Sequence, residues 1–451
     1  MKKLRSTLIL KTWKKNNFRL FLGVLLIIQF FLPTEGTGKI LIDINSPSIQ
    51  KINIAIPDFK NYSESGDHPE LASDLTKVIS NDLDLSGYFI PMDQEAFIDE
   101  DGPLLTSDNI RFKNWSVIGA ELLLKSGYTC IGQNIEVVVR LYDTYYGNQI
   151  LAKRFLGKID KYRILMHRIG NEIVFALTGY EGLFLSRFAF VNNSTGHKEI
   201  YLCDFDGGNV QWITSDESIA LLPRWSPTGE SMAYTSYKDG SPMLYFQEVL
   251  SGKVTRISDR KGLNSGACWA SDGKKLALTL SYGENPDIYS IDLTGKIIER
   301  YTNHWGDDLS PSFSPDGTKM AFVSNRSGNP QIYIKDLQNG NEERLTFELE
   351  YCTSPVWSKL NKISFSSMND GHVDIYTINP DGSNMRNLTQ DESNSEDPCW
   401  SPDGRYIVFS SNREGGYHLY IMNSNGQNQR RISFLRGDDT SPSWSPLSFP
   451  E

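Results

Sequence analysis

One short pattern recurs through the second half of this chain at a nearly fixed interval. An aromatic anchor followed by a Ser-Pro-Asp-Gly-type turn stands at Trp225-Ser-Pro-Thr-Gly229, Trp269-Ala-Ser-Asp-Gly273, Phe313-Ser-Pro-Asp-Gly317, Trp357-Ser-Lys-Leu-Asn361, Trp400-Ser-Pro-Asp-Gly404 and Trp444-Ser-Pro-Leu-Ser448, each 43 or 44 residues from the next. A period in the low forties, built of β-branched and aromatic runs cut by Gly, Pro, Asn or Asp every eight to twelve residues or so, specifies four-stranded blades of a β-propeller. Helical repeats of that length need long stretches of 3.6-residue periodicity, which these punctuated units lack.

The strands of each unit follow from the same alignment. Phe188-Ala-Phe-Val191, Ile200-Tyr-Leu-Cys-Asp204 and Gln211-Trp-Ile-Thr214 correspond to Met320-Ala-Phe-Val323, Ile332-Tyr-Ile-Lys-Asp336 and Arg344-Leu-Thr346. Asp206-Gly207-Gly208, Asn339-Gly340, Asp381-Gly382 and Asn425-Gly426 supply the positive φ that tight hairpins need. The same chemistry accounts for Asp204 and Asp206, which also have the look of calcium ligands but lack the fixed loop of five or six oxygens such a site uses. The three-strand unit occurs six times and the anchor strand six times, but the first unit has no anchor before it and Trp444 has no unit after it. The expectation is a six-bladed ring in which Pro442-Ser-Trp-Ser445 inserts beside Phe188–Val191, removing the open sheet edges.

Upstream, 451 residues allow a second domain. Lys51–Pro57 reads as a strand and His68–Leu85 as a helix. Strands follow at Tyr88–Ile90, Ser116–Ile118, Glu121–Thr129, Asn134–Tyr142 and Gln149–Phe155, and a second helix from Asp160 to Leu177 stops at Gly179. The reading is an α+β multidomain chain: a small N-terminal α/β domain (37–182), then the propeller (183–451). The turns at Gly119 and Gly132 follow no nucleotide-loop pattern, so no cofactor is expected.

The first 36 residues read as a signal peptide. Seven basic residues precede the apolar run Leu20–Leu32, which at about a dozen residues suits export better than the roughly 20 of a membrane span; an uncleaved anchor is the competing reading. Removing this stretch, with its seven basic residues and Glu35, takes the net charge from −10 to −16. A chain that acidic is a poor match for nucleic acid. The five cysteines lie at 130, 203, 268, 352 and 399 without CxxC spacing and read as small buried hydrophobes rather than a disulfide framework.

The anchors, together with Asn325-Arg-Ser-Gly328, Asn412-Arg-Glu-Gly415 and the linker Leu177-Thr-Gly-Tyr-Glu-Gly-Leu-Phe-Leu-Ser-Arg-Phe-Ala-Phe-Val191, resemble the TolB family of periplasmic WD40-like propeller proteins. The turns after Trp269 and Trp357 depart from that pattern. The resemblance implies a non-enzymatic periplasmic component of the Tol–Pal system, peripheral to membranes rather than inserted. It implies binding of the lipoprotein Pal by the propeller face, and of TolA by the mature N-terminus at Lys39, Ile40, Leu41, Ile42 and Asp43. By position in the repeat, Leu263, Gly266 and Leu309 fall where the family contacts Pal.

The same loops entering the anchor strands add Asn264, Asp308, Ser310, Thr353, Glu396, Asp397, Asp439 and Thr440 as candidates. Asp307, Asp308, Glu396, Asp397, Asp438 and Asp439 make an acidic rim able to steer a basic surface; ordinary solvated turn acids are the alternative. The rival function is a propeller hydrolase or lyase with a channel metal at His304, Asp307 and Asp308. No Gly-x-Ser-x-Gly elbow or nucleophile, base and oxyanion set occurs.

Overall fold

The computed structural model describes residues 50–64, 66–98, 110–283 and 285–447. The expected signal peptide and the Lys39–Asp43 segment lie outside them. The N-terminal sheet comprises β1 (Ile52–Ala55), β2 (Lys60–Asn61), β3 (Phe89–Pro91), β4 (Leu122–Ile131), β5 (Asn134–Asp143) and β6 (Gln149–Lys158). Its order is β3-β1-β4-β5-β6, with β2 beside β4; β1 runs parallel to β3 and β4, and β4, β5 and β6 are antiparallel. Alternation fixes the inner face: Ile135, Val137, Val139 and Leu141 of β5 are all fully buried.

Helices α1 (Leu71–Leu85), α2 (Phe112–Val117) and α3 (Tyr162–Thr178) complete the domain. In α1, Leu71, Leu75, Val78, Ile79 and Leu83 form one buried stripe. Helix α3 buries Leu165, Ile169, Ile173 and Leu177 and ends at Gly179, whose φ of 75° makes the left-handed cap. The strand expected at Ser116–Ile118 is instead the end of α2 and its cap. Trp115 decides the outcome, since it is buried against Phe97 while Val117 points to solvent.

Twenty-four strands follow, β7 (Arg187–Asn192) through β30 (Asp439–Trp444), and form six four-stranded sheets among the described residues. Five are local four-strand meanders. The sixth has the order β30-β7-β8-β9, with β8 at Glu199–Asp204 and β9 at Gln211–Trp212. Thr440 faces Val191 and Trp444 faces Phe188 across an antiparallel register, so the two ends of the propeller share one blade.

The anchors then tie blade to blade. Trp269 and Trp400 donate their indole N–H to the carbonyls of Arg224 and Val356, both at 3.0 Å. The anchor backbone is held as well: the N–H groups of Trp225 and Trp357 donate to the hydroxyls of Ser443 and Ser312, and that of Trp444 to the Cys399 sulfur at 3.4 Å. Cys399 is therefore more than a small hydrophobe, because it fills the acceptor position that serine fills elsewhere. All five cysteines are free thiols.

Candidate functional site

The strand nearest the axis of each blade carries the loop residues singled out above. These are β10 (Ala220–Trp225), β14 (Asn264–Trp269), β18 (Asp308–Phe313), β22 (Tyr351–Trp357), β26 (Ser395–Trp400) and β30. In every one the register with its neighbour slips before the anchor. At each slip one residue takes a left-handed backbone: Leu222 (φ 53°), Gly266 (64°), Ser310 (52°), Ser354 (51°), Asp397 (53°) and Ser441 (51°). These are β-bulges, and five of the six are built on side chains for which that conformation costs about 1–3 kcal/mol.

Bulges of successive blades touch. Asp397 accepts hydrogen bonds from Ser354 Oγ at 2.9 Å and Ser441 Oγ at 3.0 Å, linking three blades through one carboxylate. A bulge repeated at one level of all six blades, strained in five of them, re-aims the chain at the propeller mouth.

The residue two before each bulge is wholly buried: Ala220, Asn264, Asp308, Cys352, Ser395 and Asp439. Of the expected contact residues, Asn264, Asp308 and Asp439 are therefore enclosed in the blades, with no exposed surface in the unbound chain. Asp308 takes both oxygens to Arg326 Nη2 (3.0 and 2.8 Å), and burial still holds its carboxyl above the usual range. Asp439 accepts from Asn192 Nδ2 at 2.8 Å and Ser433 Oγ at 2.6 Å, and burial likewise raises it. Asn264 bonds to its own loop, donating to the Arg260 carbonyl at 2.7 Å.

The other acids of the rim are also engaged. Asp307 and Asp438 are clamped by Asn325 and Asn193, whose side-chain oxygens accept the loop N–H while their amides reach the carboxylates. Asn412 likewise accepts from the N–H of Asn394. That pairing is the structural task of the Asn-Arg-x-Gly turns. Glu396 accepts from the Tyr417 hydroxyl at 2.7 Å. Leu263, Gly266, Leu309, Ser310, Thr353, Glu396, Asp397 and Thr440 remain partly accessible at the mouth.

The His304 region is not a ligand set. His304 Nδ1 accepts from the Gly306 N–H at 3.1 Å, and Asp308 is already committed to Arg326. Among the described residues the one group of metal-ligating side chains within ligating reach of each other is Asp82, His167 and Asp206, far from those loops in sequence.

That group sits where α1 and α3 meet the propeller. Arg163 Nη2 holds both oxygens of Asp206 (2.5 and 2.7 Å) and its Nε lies 3.3 Å from Asp204. One turn along α3, His167 Nδ1 is 2.8 Å from Asp82 of α1, and its Nε2 is 3.6 Å from Asp204. Burial alone would lower the His167 pKa, but Asp82, Asp204 and Asp206 push it up to about 10. Burial lifts Asp82 to about 6 against the pull of His167. Asp204 is also penalised by burial, yet His167 and Arg187 hold it below the usual carboxylate range.

With Arg163, His167 and Arg187 already among the three carboxylates, the cluster is a set of buried ion pairs between domains rather than an ion cage. It corrects the reading of Asp204 and Asp206 as turn residues alone. Tyr406 extends the seam by donating to the Ser86 carbonyl at 2.8 Å in a buried contact.

A family model described as the TolB beta propeller domain matches residues 174–448, and another, the TolB amino-terminal domain, matches 40–150. The chain belongs to the TolB family. It is similar to the Tol-Pal system protein TolB of Desulfosudis oleivorans, 39% identical over 203 residues, which is 45% of this chain and 46% of that protein. Its likeness to the same-named protein of Syntrophus aciditrophicus is 34% over 231 residues, half of this chain and 51% of that one. The chain thus spans about half the length of the curated relatives it matches.

The crystal structure of TolB from Acinetobacter baumannii superposes with a TM-score of 0.75 at 26% identity, covering 88% of this chain and 97% of the other. Arg163 and His167 fall between the two matched family segments. The cations that join the domains therefore lie in neither matched segment, while Asp82 lies within the amino-terminal match and Asp204 and Asp206 within the propeller match. Among the described residues no helix is long and apolar enough to cross a membrane.

Proposed function

We propose that this chain is a non-enzymatic, exported adaptor of the Tol–Pal system that binds the peptidoglycan-associated lipoprotein Pal at the mouth of its propeller. Residues 1–36 serve as the signal peptide, 37–182 as the N-terminal domain and 183–451 as the propeller, with the periplasm as its compartment. Lys39–Asp43 at the mature N-terminus engages TolA, and the adaptor supports outer-membrane integrity during constriction.

The observation that carries this reading is the ring of six bulges with five strained non-glycine residues at one level. Such strain persists where the surrounding structure over-determines it and clusters at binding and switching sites. Leu309, Ser310, Thr353, Glu396, Asp397 and Thr440 line that level, and Leu263 and Gly266 continue it on the neighbouring blade.

The test is calorimetric titration of residues 37–451 with the soluble domain of Pal, beside Leu309→Arg and a chain starting at Asn45. Leu309→Arg loses at least tenfold in affinity for Pal. The shortened chain loses TolA in a separate pull-down. Unchanged Pal affinity in Leu309→Arg would take the binding face away from the bulges, and no binding by the parent chain would remove the adaptor reading.

A further inference from the structure

Strand β6 ends the N-terminal sheet, and its outer edge has no strand partner among the described residues. At ten residues it is long for an edge, which ordinarily invites pairing with another chain. The surface beside it is concave. A groove of 570 Å³ runs between Leu156, Gly157 and Lys158 of β6 and Lys161, Ile164 and Arg168 at the start of α3 and beyond. A second groove of 410 Å³ adjoins it through Arg168 and continues to Phe175. The pair has apolar walls: Leu156 is 68% exposed and Phe175 52%.

The charge of β6 itself runs against that of the chain, whose net value is −10: the strand carries Lys153, Arg154 and Lys158 and no acid, while Glu172 and Glu181 line the second groove. Lys153, Arg154, Lys158, Lys161 and Arg168 stand along this edge. Lys153 is paired with Glu172 and Arg154 with Glu136. Lys158 and Lys161 are exposed and have no ion-pair partner among the described residues. Lysines on an edge strand also guard against aggregation. A guard needs neither a groove nor apolar walls, however, and both are present. A second copy of this chain is disfavoured as occupant, because edge-to-edge pairing would set these cations against themselves.

We propose that the outer edge of β6 is a docking site for an extended acidic segment of a partner protein. The segment adds to the sheet as a further strand, its backbone pairing with β6 and its carboxylates facing Lys158 and Lys161. Backbone bonds then supply affinity, while the alternating side chains and the basic rim select an acidic, half-apolar sequence.

The probe is a fluorescein-labelled decapeptide of alternating Val and Glu, titrated into residues 37–451 at two salt concentrations, with a Val/Lys decapeptide and phosphatidylglycerol vesicles in parallel. Binding of the Val/Glu peptide is expected to slow amide hydrogen exchange across Gln149–Lys158. It is expected to weaken at least tenfold in the Lys158→Glu/Lys161→Glu double variant, whose exposed sites leave the thermal midpoint near that of the parent. The proposal is overturned if the double variant binds the peptide equally, if Val/Lys binds as well as Val/Glu, or if protection appears elsewhere. Absence of peptide binding, or protection of β6 by the vesicles in place of the peptide, overturns it as well.

Discussion

The propeller mouth and the domain seam both bury carboxylates, yet they answer them differently. At the mouth Asp439 meets Asn192 and Ser433, and Asp308 meets Arg326 from a hairpin of its own blade. At the seam Asp204 and Asp206 of one domain meet Arg163 and His167 of the other, with Asp82 closing the set. A buried acid answered within the propeller, by its own blade as for Asp308 or partly by the preceding blade as for Asp439, shapes a loop. One answered across the seam makes the positions of two domains depend on each other.

The sharpest way to break the contrast is to remove the seam's central cation. His167→Ala leaves Asp82 and Asp204 buried without it, and breaking a buried pair in this way costs about 3–5 kcal/mol. The expected outcome is a lower urea midpoint together with faster limited proteolysis in the linker 178–182. A variant that melts and is cleaved like the parent would reduce the seam to an incidental contact.

Proton concentration separates the two regions without a mutation. The folded His167 pKa lies near 10, above its ordinary value of 6.5, so its contribution is complete below about pH 6.5 and is lost as pH rises towards 10. Asp82 adds in the same direction at lower pH: its folded value of about 6 exceeds the ordinary 3.8, so its contribution fades between about pH 4 and 6. The midpoint is therefore expected to fall between pH 6.5 and 10, and His167→Gln to flatten that slope. If the slope survives the substitution, another group carries it.

Legibility in the sequence follows how far apart interacting residues lie. The anchors, hairpin glycines and closing strand are local patterns repeated six times, so the propeller could be read directly, as could α1 and α3 from their apolar stripes. Ser116–Ile118 misled because two β-branched residues follow a tryptophan in a helix of six residues, too short to show a period. Asn264, Asp308 and Asp439 look like surface turn residues, because nothing in the local pattern shows that Asn264 folds onto its own loop or that Arg326 and Asn192 reach the two acids from other hairpins. A signal existed for one of them. Arg326 follows Asp308 by eighteen positions, and Arg413 follows Ser395 by the same interval and bonds to it. The seam had none, since His167 and Asp82 are 85 positions apart.

A milder change tests the mouth. Asp439→Asn keeps the shape of the buried group, removes its charge, and leaves Ser433 and Asn192 to rearrange around an amide. A net hydrogen bond of this kind is worth about 0.5–1.5 kcal/mol, and up to about 3 kcal/mol when one partner is charged. The expected loss is about 1–2 kcal/mol in urea, with the linker no more open to protease than in the parent.

The smallest expected effect belongs to Gly208, and it probes the seam from the propeller side. A Cβ there would run into the Arg163 guanidinium, the far end of a flexible side chain, whereas a Cβ on Gly207 next to it would strike the backbone carbonyl of Ile432. Gly208→Ala can therefore be accommodated by shifting Arg163, which disturbs its two-oxygen grip on Asp206 but does not remove either charge. A loss of about 1 kcal/mol or less is expected, with the pH slope of His167 retained. Gly207 has a φ of 77° as well as the backbone clash, so Gly207→Ala must move the hairpin itself and should cost several times more. Equal losses in the two variants would mean that the hairpin is held by its turn alone, and that Arg163 adds little to the junction.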